Sequence, residues 1–311
     1  MKRVVLVEGI PGSGKSTFAR FLANQFERNG HTCNLFFETT YNHPIIHSVS
    51  FDDYNMFIES YLDRWNKFLS NQSGGDVVVM ESALFQSPIV HLLHKDVDRN
   101  LIKSVIVNAS ELLRDMDCKL IYFYQEDAEA AIHKMIDFRG KEDFLLKKHD
   151  EYKHEQYFVN RMELGLNSHI SFFLDYAALA NEIVKEVSLE TISIENSKQD
   201  YSLYEQQLIH EFDLEFFPDP YVDRSILTKY TGTYYNQDLN FSLNIEHIDD
   251  QLIIFGNKKL KPKNNSQFYL DDMSVTANFI TEGDRVNRVV ITEKDLYANR
   301  NDNGTIFERT S

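Results

Sequence analysis

The residues best suited to chemistry lie near the amino terminus, in the segment GIPGSGKS. Its fixed positions are Gly9, Gly14, Lys15 and Ser16, which fit the pattern G-x-x-x-x-G-K-[ST] of loops that bind nucleotide phosphates. Glycines let such a backbone curl until its N–H groups point at phosphate oxygens. The lysine reaches the β- and γ-phosphates, and the hydroxyl after it ligates Mg²⁺. We therefore predict a phosphate-binding loop formed by Gly12, Ser13, Gly14, Lys15, Ser16 and Thr17.

A strand and a helix must flank this loop for it to work. The apolar run 4–7 before the motif predicts a buried parallel strand. After the motif, apolar residues recur at helical spacing from Phe18 to Phe26. A helix that begins near Lys15 adds partial positive charge where phosphates would bind. The alternative is a glycine-rich turn that binds nothing, and the full spacing in this context disfavours it.

Two carboxylates follow other predicted strands. The segment 33–38, CNLFFE, ends in Glu38, and the segment 76–82, DVVVMES, carries Glu81 near its end. The carboxyl ends of parallel strands meet at the sheet edge where the phosphate loop lies. We expect Glu81 to orient Mg²⁺, directly or through water. Glu38 could accept a proton from an attacking hydroxyl or hold a substrate amine. For each residue, the alternative is an ordinary solvated acid.

Basic residues that could act on a phosphoryl group lie in DFRGKEDF. A helix predicted from Asp127 to about Phe138 leads to Arg139 and Lys141, where a polar helical segment, 139–163, begins. Basic residues in a mobile lid can stabilise charge on a transferring phosphoryl group. A solvated basic pair explains the pattern equally well.

Two further assignments rest on position alone. The segment IENSKQDY, which starts at Ile194, follows the last predicted strand and could pack against a purine base. Tyr41 and His43 come just after Glu38 and are candidates to line an acceptor pocket.

The chain has two regions of different pattern. Over residues 1–217, strand-like and helix-like segments alternate, which predicts an α/β domain with a parallel sheet flanked by helices on both faces. The prolines in FFPDP indicate a linker, which we place at 218–224. Residues 225–311 show period-two alternation, as in Leu243 and Ile245, with turn residues at regular spacing. This pattern predicts a small antiparallel β domain, either a barrel or a sandwich.

Composition limits the classes of partner. The formal net charge is −16, from 32 basic and 48 acidic side chains. Such a surface repels nucleic-acid backbones and anionic membranes, so we expect neither as a partner. No apolar stretch approaches the roughly 20 residues of a membrane span. The two cysteines, Cys33 and Cys118, form no disulfide framework and favour a reducing, cytoplasmic setting. A homodimer is one candidate assembly.

These segments together resemble the nucleoside and nucleotide kinase branch of the P-loop phosphotransferases, the branch of thymidylate kinase and the deoxyribonucleoside kinases. The specific match is the phosphate loop; weaker matches are Glu38, Glu81, LIYFYQEDAEAAI from Leu120, and ISIENSKQDY. The resemblance covers roughly the first two hundred residues, in line with one domain. It implies five parallel strands, ATP as donor, Mg²⁺, and a lid arginine, here Arg139.

The sequence departs from that branch at one position. The branch places an arginine after the acid of the third strand, where it contacts the acceptor and the phosphates, and here Ser82 follows Glu81. Beyond the linker, YTGTYY, which starts at Tyr230, resembles the small β domain appended to some serine-hydrolase-like proteins of the penicillin-binding type. That second resemblance implies an accessory or binding module.

The predicted activity is an ATP- and Mg²⁺-dependent phosphotransferase acting on a hydroxyl of a small molecule, with a nucleoside as one candidate. The predicted catalytic residues are Lys15, Glu38 and Arg139. The segment 38–57 has no lysine or arginine, which favours a neutral or cationic acceptor unless Arg64 or Arg161 folds back into the site. The alternative function is an NTPase switch, or a regulatory ATP-binding protein, that acts on a protein partner through the β domain.

Overall fold

The computed structural model describes residues 2–40, 43–47, 51–71, 75–271, 273–283, 285–293 and 304–310. The chain divides into two compact units. The first unit comprises Met1–Glu38 with Pro44–Leu214, and the second comprises Thr39–His43 with Glu215–Ser311. The first domain predicted from the sequence extends to residue 217, and its ability to fold alone stays a prediction.

A five-stranded parallel sheet forms the centre of the first unit, as the sequence predicts. Its strands run in the order β2-β3-β1-β4-β5. The bounds are β1 (Arg3–Gly9), β2 (Cys33–Phe36), β3 (Val77–Glu81), β4 (Asp117–Tyr124) and β5 (Glu190–Glu195). Because β1 lies between β3 and β4, the loop after β1 emerges beside the end of β3, where Val7 pairs with Glu81.

Helices cover both faces of this sheet. Alternate residues of β1 show this directly, because Val4 and Leu6 belong to one apolar core and Val5 and Val7 to another. The helices are α1 (Lys15–Arg28), α2 (Tyr54–Ser70), α3 (Gln86–His94), α4 (Arg99–Leu112), α5 (Ala128–Phe138), α6 (Lys141–Tyr152), α7 (Gln156–Val159), α8 (Asn167–Ile183) and α9 (Tyr201–Glu211). A short 3₁₀ turn, Met162–Leu164, precedes α8.

Aspartate side chains begin four of these helices. Each accepts a hydrogen bond from a backbone N–H in the first turn, which would otherwise lack a partner. The capping residues are Asp53 on α2, Asp98 on α4, Asp127 on α5 and Asp200 on α9. Asp127 begins its helix where the sequence places it.

One strand boundary differs from the prediction in a way that matters for the site. The predicted second strand reaches Glu38, but β2 ends at Phe36 and Glu38 lies in the turn that follows. The apolar run continues to Phe37, which is fully buried beyond the end of the strand. Hydrophobicity therefore marks burial here rather than the extent of sheet pairing.

The second unit contains a closed antiparallel barrel of eight strands, so of the two predicted alternatives the barrel is confirmed. The strands are β6 (Gly232–Asn236), β7 (Phe241–Ile248), β8 (Gln251–Ile254), β9 (Lys258–Pro262), β10 (Gln267–Tyr269), β11 (Thr276–Glu282), β12 (Arg285–Thr292) and β13 (Thr305–Arg309). Closure comes from the pairing of the last strand, β13, with the first, β6.

A short helix that the sequence did not predict precedes the barrel. This helix, α10 (Arg224–Tyr230), places Leu227 and Tyr230 in the barrel core. Val222, inside the predicted linker, is buried in the same core. Across the described parts of both units, no helix is both long enough and apolar enough to cross a bilayer.

Candidate active site

The glycine-rich loop joins β1 to α1 at the carboxyl edge of the sheet, where the sequence predicts it. Two of its glycines are required by their surroundings. A Cβ atom on Gly9 would collide with the carbonyl oxygen of Phe123 on the neighbouring strand. Gly12 has φ 83°, and a Cβ atom there would come within 2.9 Å of the Met135 side chain. The chain can therefore form this tight loop only with glycine at both positions.

Lys15 is a buried cation surrounded by carboxylates. Its side chain is 5% exposed, and its Nζ donates a hydrogen bond to the carbonyl oxygen of Ile10 at 3.1 Å. Desolvation lowers the pKa of Lys15, while the negative charges of Glu81, Glu38 and Glu8 act to raise it. The ammonium group thus lies near three acids and is hydrogen-bonded to the loop itself.

Glu81 and Ser16, the two residues predicted to organise a metal, are in contact. The Ser16 hydroxyl donates to Glu81 Oε1 at 3.3 Å, and the Ser82 hydroxyl donates to the same oxygen at 2.9 Å. The other carboxylate oxygen accepts the backbone N–H of Glu38 at 3.1 Å. These oxygen donors fit Mg²⁺, which prefers oxygen ligands and takes several of them from water and phosphate. Among the described residues, no group of three or more His, Cys, Asp or Glu side chains is arranged to hold a metal ion.

Glu38 lies in an exposed turn, but its carboxyl group is surrounded by protein atoms. Desolvation raises the pKa of this carboxyl, and the charge of Glu81 raises it further. A hydrogen bond from Gln86 Nε2 to Glu38 Oε2, at 2.5 Å, opposes the rise, as do the charges of Lys15 and Lys148. An upward shift of its pKa makes a carboxylate a stronger base.

Arg139 lies close enough to Glu38 and Lys15 to affect their charges, and Lys141 does not. Arg139 follows the last residue of α5, and its guanidinium lies 5.4 Å from the centre of the Phe144 ring. The residue is exposed overall, yet partial desolvation lowers the pKa of its guanidinium and the charge of Glu38 acts to raise it. Lys141 is exposed and lies 3.9 Å from Asp137.

Lys148 is a charged residue of the site that sequence reasoning missed. It lies on α6, its charge lowers the pKa of Glu38, and its Nζ pairs with Glu151 at 2.8 Å. The two arginines named as possible cations for the acceptor are used elsewhere. Arg161 pairs with Asp96 at 2.8 Å, and Arg64 donates to the carbonyl oxygen of Ile46 at 2.9 Å.

Glu8 is a second missed residue, and it is fully buried. Its carboxylate lies at the start of α3, where Oε1 accepts the backbone N–H of Leu84 at 2.6 Å and Oε2 accepts that of Gln86 at 3.2 Å. Desolvation raises the pKa of Glu8 to about 7, against the opposing effects of these hydrogen bonds and of Lys15. The signal was present in the sequence, because Glu8 follows a buried apolar run just as Glu81 does.

Gln86 is the third missed residue and connects two acids. Its backbone N–H binds Glu8, and its side-chain amide binds Glu38. No pattern in the sequence marks it. Of the remaining candidates, His43 is buried and Tyr41 lies outside the described residues. In the segment IENSKQDY, Asn196 contacts the phosphate loop, where its Nδ2 donates to the carbonyl oxygen of Ser13 at 2.5 Å.

Comparisons with known proteins show distant structural similarity only. No protein-family model matches the sequence, and no curated protein matches it. Two of the similar solved structures are the YorR protein of Bacillus subtilis in complex with phosphorylated GDP and an apo GTPase from Pyrococcus abyssi. The first is 16% identical and covers 68% of this chain and 95% of its own, with a TM-score of 0.38. The second is 16% identical and covers 67% and 96%, with a TM-score of 0.27. The fold assignment therefore depends on the strand order and the loop geometry of this chain.

Proposed function

We propose that this chain binds ATP and transfers the γ-phosphoryl group to a hydroxyl of a small-molecule acceptor. The observation that supports this function is the meeting of Lys15, Ser16, Glu81 and Glu38 at one edge of a parallel sheet. Phosphoryl transfer needs little covalent chemistry from a protein, because positioning and neutralisation of charge supply most of the catalysis. These four residues offer both.

Each residue has a role in this proposal. The loop N–H groups and Lys15 hold the β- and γ-phosphates. Arg139, at the start of the polar segment, supplies positive charge to the transferring group. Ser16 and Glu81 would hold Mg²⁺, which when bound neutralises the negative charge that develops on the phosphates. The hydroxyl and the carboxylate already lie 3.3 Å apart.

Glu38 is the residue that we assign to the acceptor. A hydroxyl acceptor needs a carboxylate to take or share its proton, and efficient bases have a pKa near the working pH. Burial and the charge of Glu81 shift the pKa of Glu38 upward, which is the direction that a base requires. We propose a neutral or cationic acceptor, since Ser82 replaces the arginine that would bind an anionic one. The nearby Lys148 is already paired with Glu151.

A transfer assay tests this function. Radiolabelled ATP, with GTP in parallel, is incubated with Mg²⁺ and panels of nucleosides and amine-bearing antibiotics, and the label is followed by chromatography. We expect slow turnover that one acceptor accelerates, with the label on that compound. The Lys15→Ala variant should transfer no label, and Lys141→Ala, at an exposed site, should match the unmutated protein. Release of free phosphate that only a macromolecule stimulates would instead indicate the NTPase switch.

A further inference from the structure

The phosphate loop has carbonyl groups as well as N–H groups. A loop that points N–H groups at phosphates must turn carbonyl groups away, and a buried carbonyl needs its own hydrogen-bond donor. Three carbonyl groups of the loop have side-chain donors. Lys15 Nζ donates to Ile10 at 3.1 Å, the Tyr176 hydroxyl donates to Gly9 at 3.0 Å, and Asn196 Nδ2 donates to Ser13 at 2.5 Å.

Two of these donors come from distant parts of the chain and are buried. Tyr176 belongs to α8 and Asn196 follows β5, and each is 1% exposed. The backbone N–H of Asn196 donates to the carbonyl oxygen of Tyr124 at 2.8 Å, which fixes Asn196 to the edge of the sheet. The loop is therefore braced by the body of the domain and not only by its own sequence.

Because the peptide bond is planar, holding a carbonyl group of the loop also fixes the direction of the next N–H group. A carbonyl group and the N–H group of the next residue lie in one plane and point in opposite directions. Holding the Ser13 carbonyl outward therefore directs the Gly14 N–H inward. In the same way, Tyr176 on the Gly9 carbonyl directs the N–H of Ile10.

We propose that Asn196 is a positioning residue for nucleotide phosphates, which acts by holding the carbonyl group of Ser13. This inference rests on the proposed nucleotide binding. The packing of the segment IENSKQDY against a purine base stays a prediction, and this inference gives Asn196 a role at the opposite end of the nucleotide. Tyr176 acts in the same way at Gly9, so the two residues offer independent tests.

The test separates the phosphate end of a nucleotide from its base. Binding of ADP, adenosine and tripolyphosphate to the full chain is measured by calorimetry for the unmutated protein and for Asn196→Leu, which keeps a similar size without the donor. The Ser13 carbonyl group would then be buried without a partner, and the affinity for ADP and for tripolyphosphate should fall about five- to a hundredfold. Adenosine, which has no phosphate, should bind as before. Gln199→Ala, in the same turn but bonded to Lys134, is the matched control and should change nothing.

Further variants keep the test valid if Asn196→Leu does not fold, which a melting curve without ligand would reveal. Tyr176→Phe and Asn196→Asp preserve the size of the side chain. They should show the same selective loss of affinity for ADP and tripolyphosphate. Unchanged tripolyphosphate affinity in the folded variants would overturn the inference while the proposed function stood. If the affinities for ADP and adenosine fell equally while the affinity for tripolyphosphate did not change, the inference would also be overturned, and packing of this segment against the base would be favoured. No binding of ADP or tripolyphosphate by the unmutated protein would refute the proposed function itself.

Discussion

Replacing Glu8 by glutamine should change how the stability of the first unit depends on pH. Glu8 is fully buried, and its pKa is raised from 4.5 to about 7. Between these two values the folded protein keeps a proton that the unfolded chain releases. The free energy of unfolding should therefore fall as the pH rises from 4.5 to about 7, and this contribution should stay lost above that range.

The size of the effect follows from the same values. Each pH unit between the two pKa values corresponds to about 1.4 kcal/mol, so the full loss is about 3 kcal/mol. That is a large share of a typical stability of about 5–15 kcal/mol. Glutamine does not titrate, so Glu8→Gln should remove this pH dependence. Its amide cannot accept both backbone N–H groups well, and the variant should be less stable at low pH.

Urea unfolding between pH 5 and pH 8 measures the difference. The protein has one tryptophan, Trp65, which is fully buried in α2, so its fluorescence reports on the first unit. The stability gap between the two proteins should narrow by up to about 3 kcal/mol as the pH rises. Glu142→Gln, at an exposed position, should keep the wild-type slope. Parallel pH profiles for the wild type and Glu8→Gln would refute the reasoning.

Three further predictions concern catalysis and modularity. Lys15→Ala should leave the fold intact but lower nucleotide-dependent activity at least about a hundredfold, because the phosphates lose their cation; activity within a few-fold of wild type would show that the loop is not catalytic. Glu38→Gln should lower kcat by about 10²–10⁴-fold with ATP binding near normal. A nucleoside monophosphate as the best acceptor, or wild-type turnover by the variant, would contradict this. A fragment of residues 1–217 should fold and bind ATP without residues 225–311. A fragment that is soluble only when residues 225–311 are present would show that the predicted domain boundary is wrong.

The parts of the fold that local patterns specify could be predicted from the sequence. Continuous apolar runs mark the buried parallel strands, and the motif marks the loop between β1 and α1. Barrel and sandwich share the same period-two alternation, so the sequence could not choose between them. The choice depends on the pairing of the last strand, β13, with the first, β6, where Glu308 faces Tyr235. Partners so far apart in the chain are not visible in a local pattern.

The site divides in the same way. Residues within or just after a strand, such as Glu81, could be placed from the topology of a parallel sheet. Gln86 and Lys148 reach the site from α3 and α6, and only tertiary packing brings these helices to Glu38. The motif itself is visible in the sequence, but the side chains that donate hydrogen bonds to its carbonyl groups are not. Tyr176 and Asn196 lie 167 and 183 residues from the carbonyl groups that they hold.

The three acids around Lys15 would make this a poor site for a polyanion if all were charged and unpaired. Each acid is either protonated or bonded to neighbouring groups. Glu8, with a pKa of about 7, is largely protonated below neutral pH. Glu38 is hydrogen-bonded to Gln86 and lies near the charge of Lys148. Glu81 has the Ser16 and Ser82 hydroxyls and, under the proposed function, the metal ion. With Glu8 protonated and the other two carboxylates already bonded, Lys15 would remain available to the phosphates under the proposed function, and Glu38 would be the carboxylate beside the acceptor.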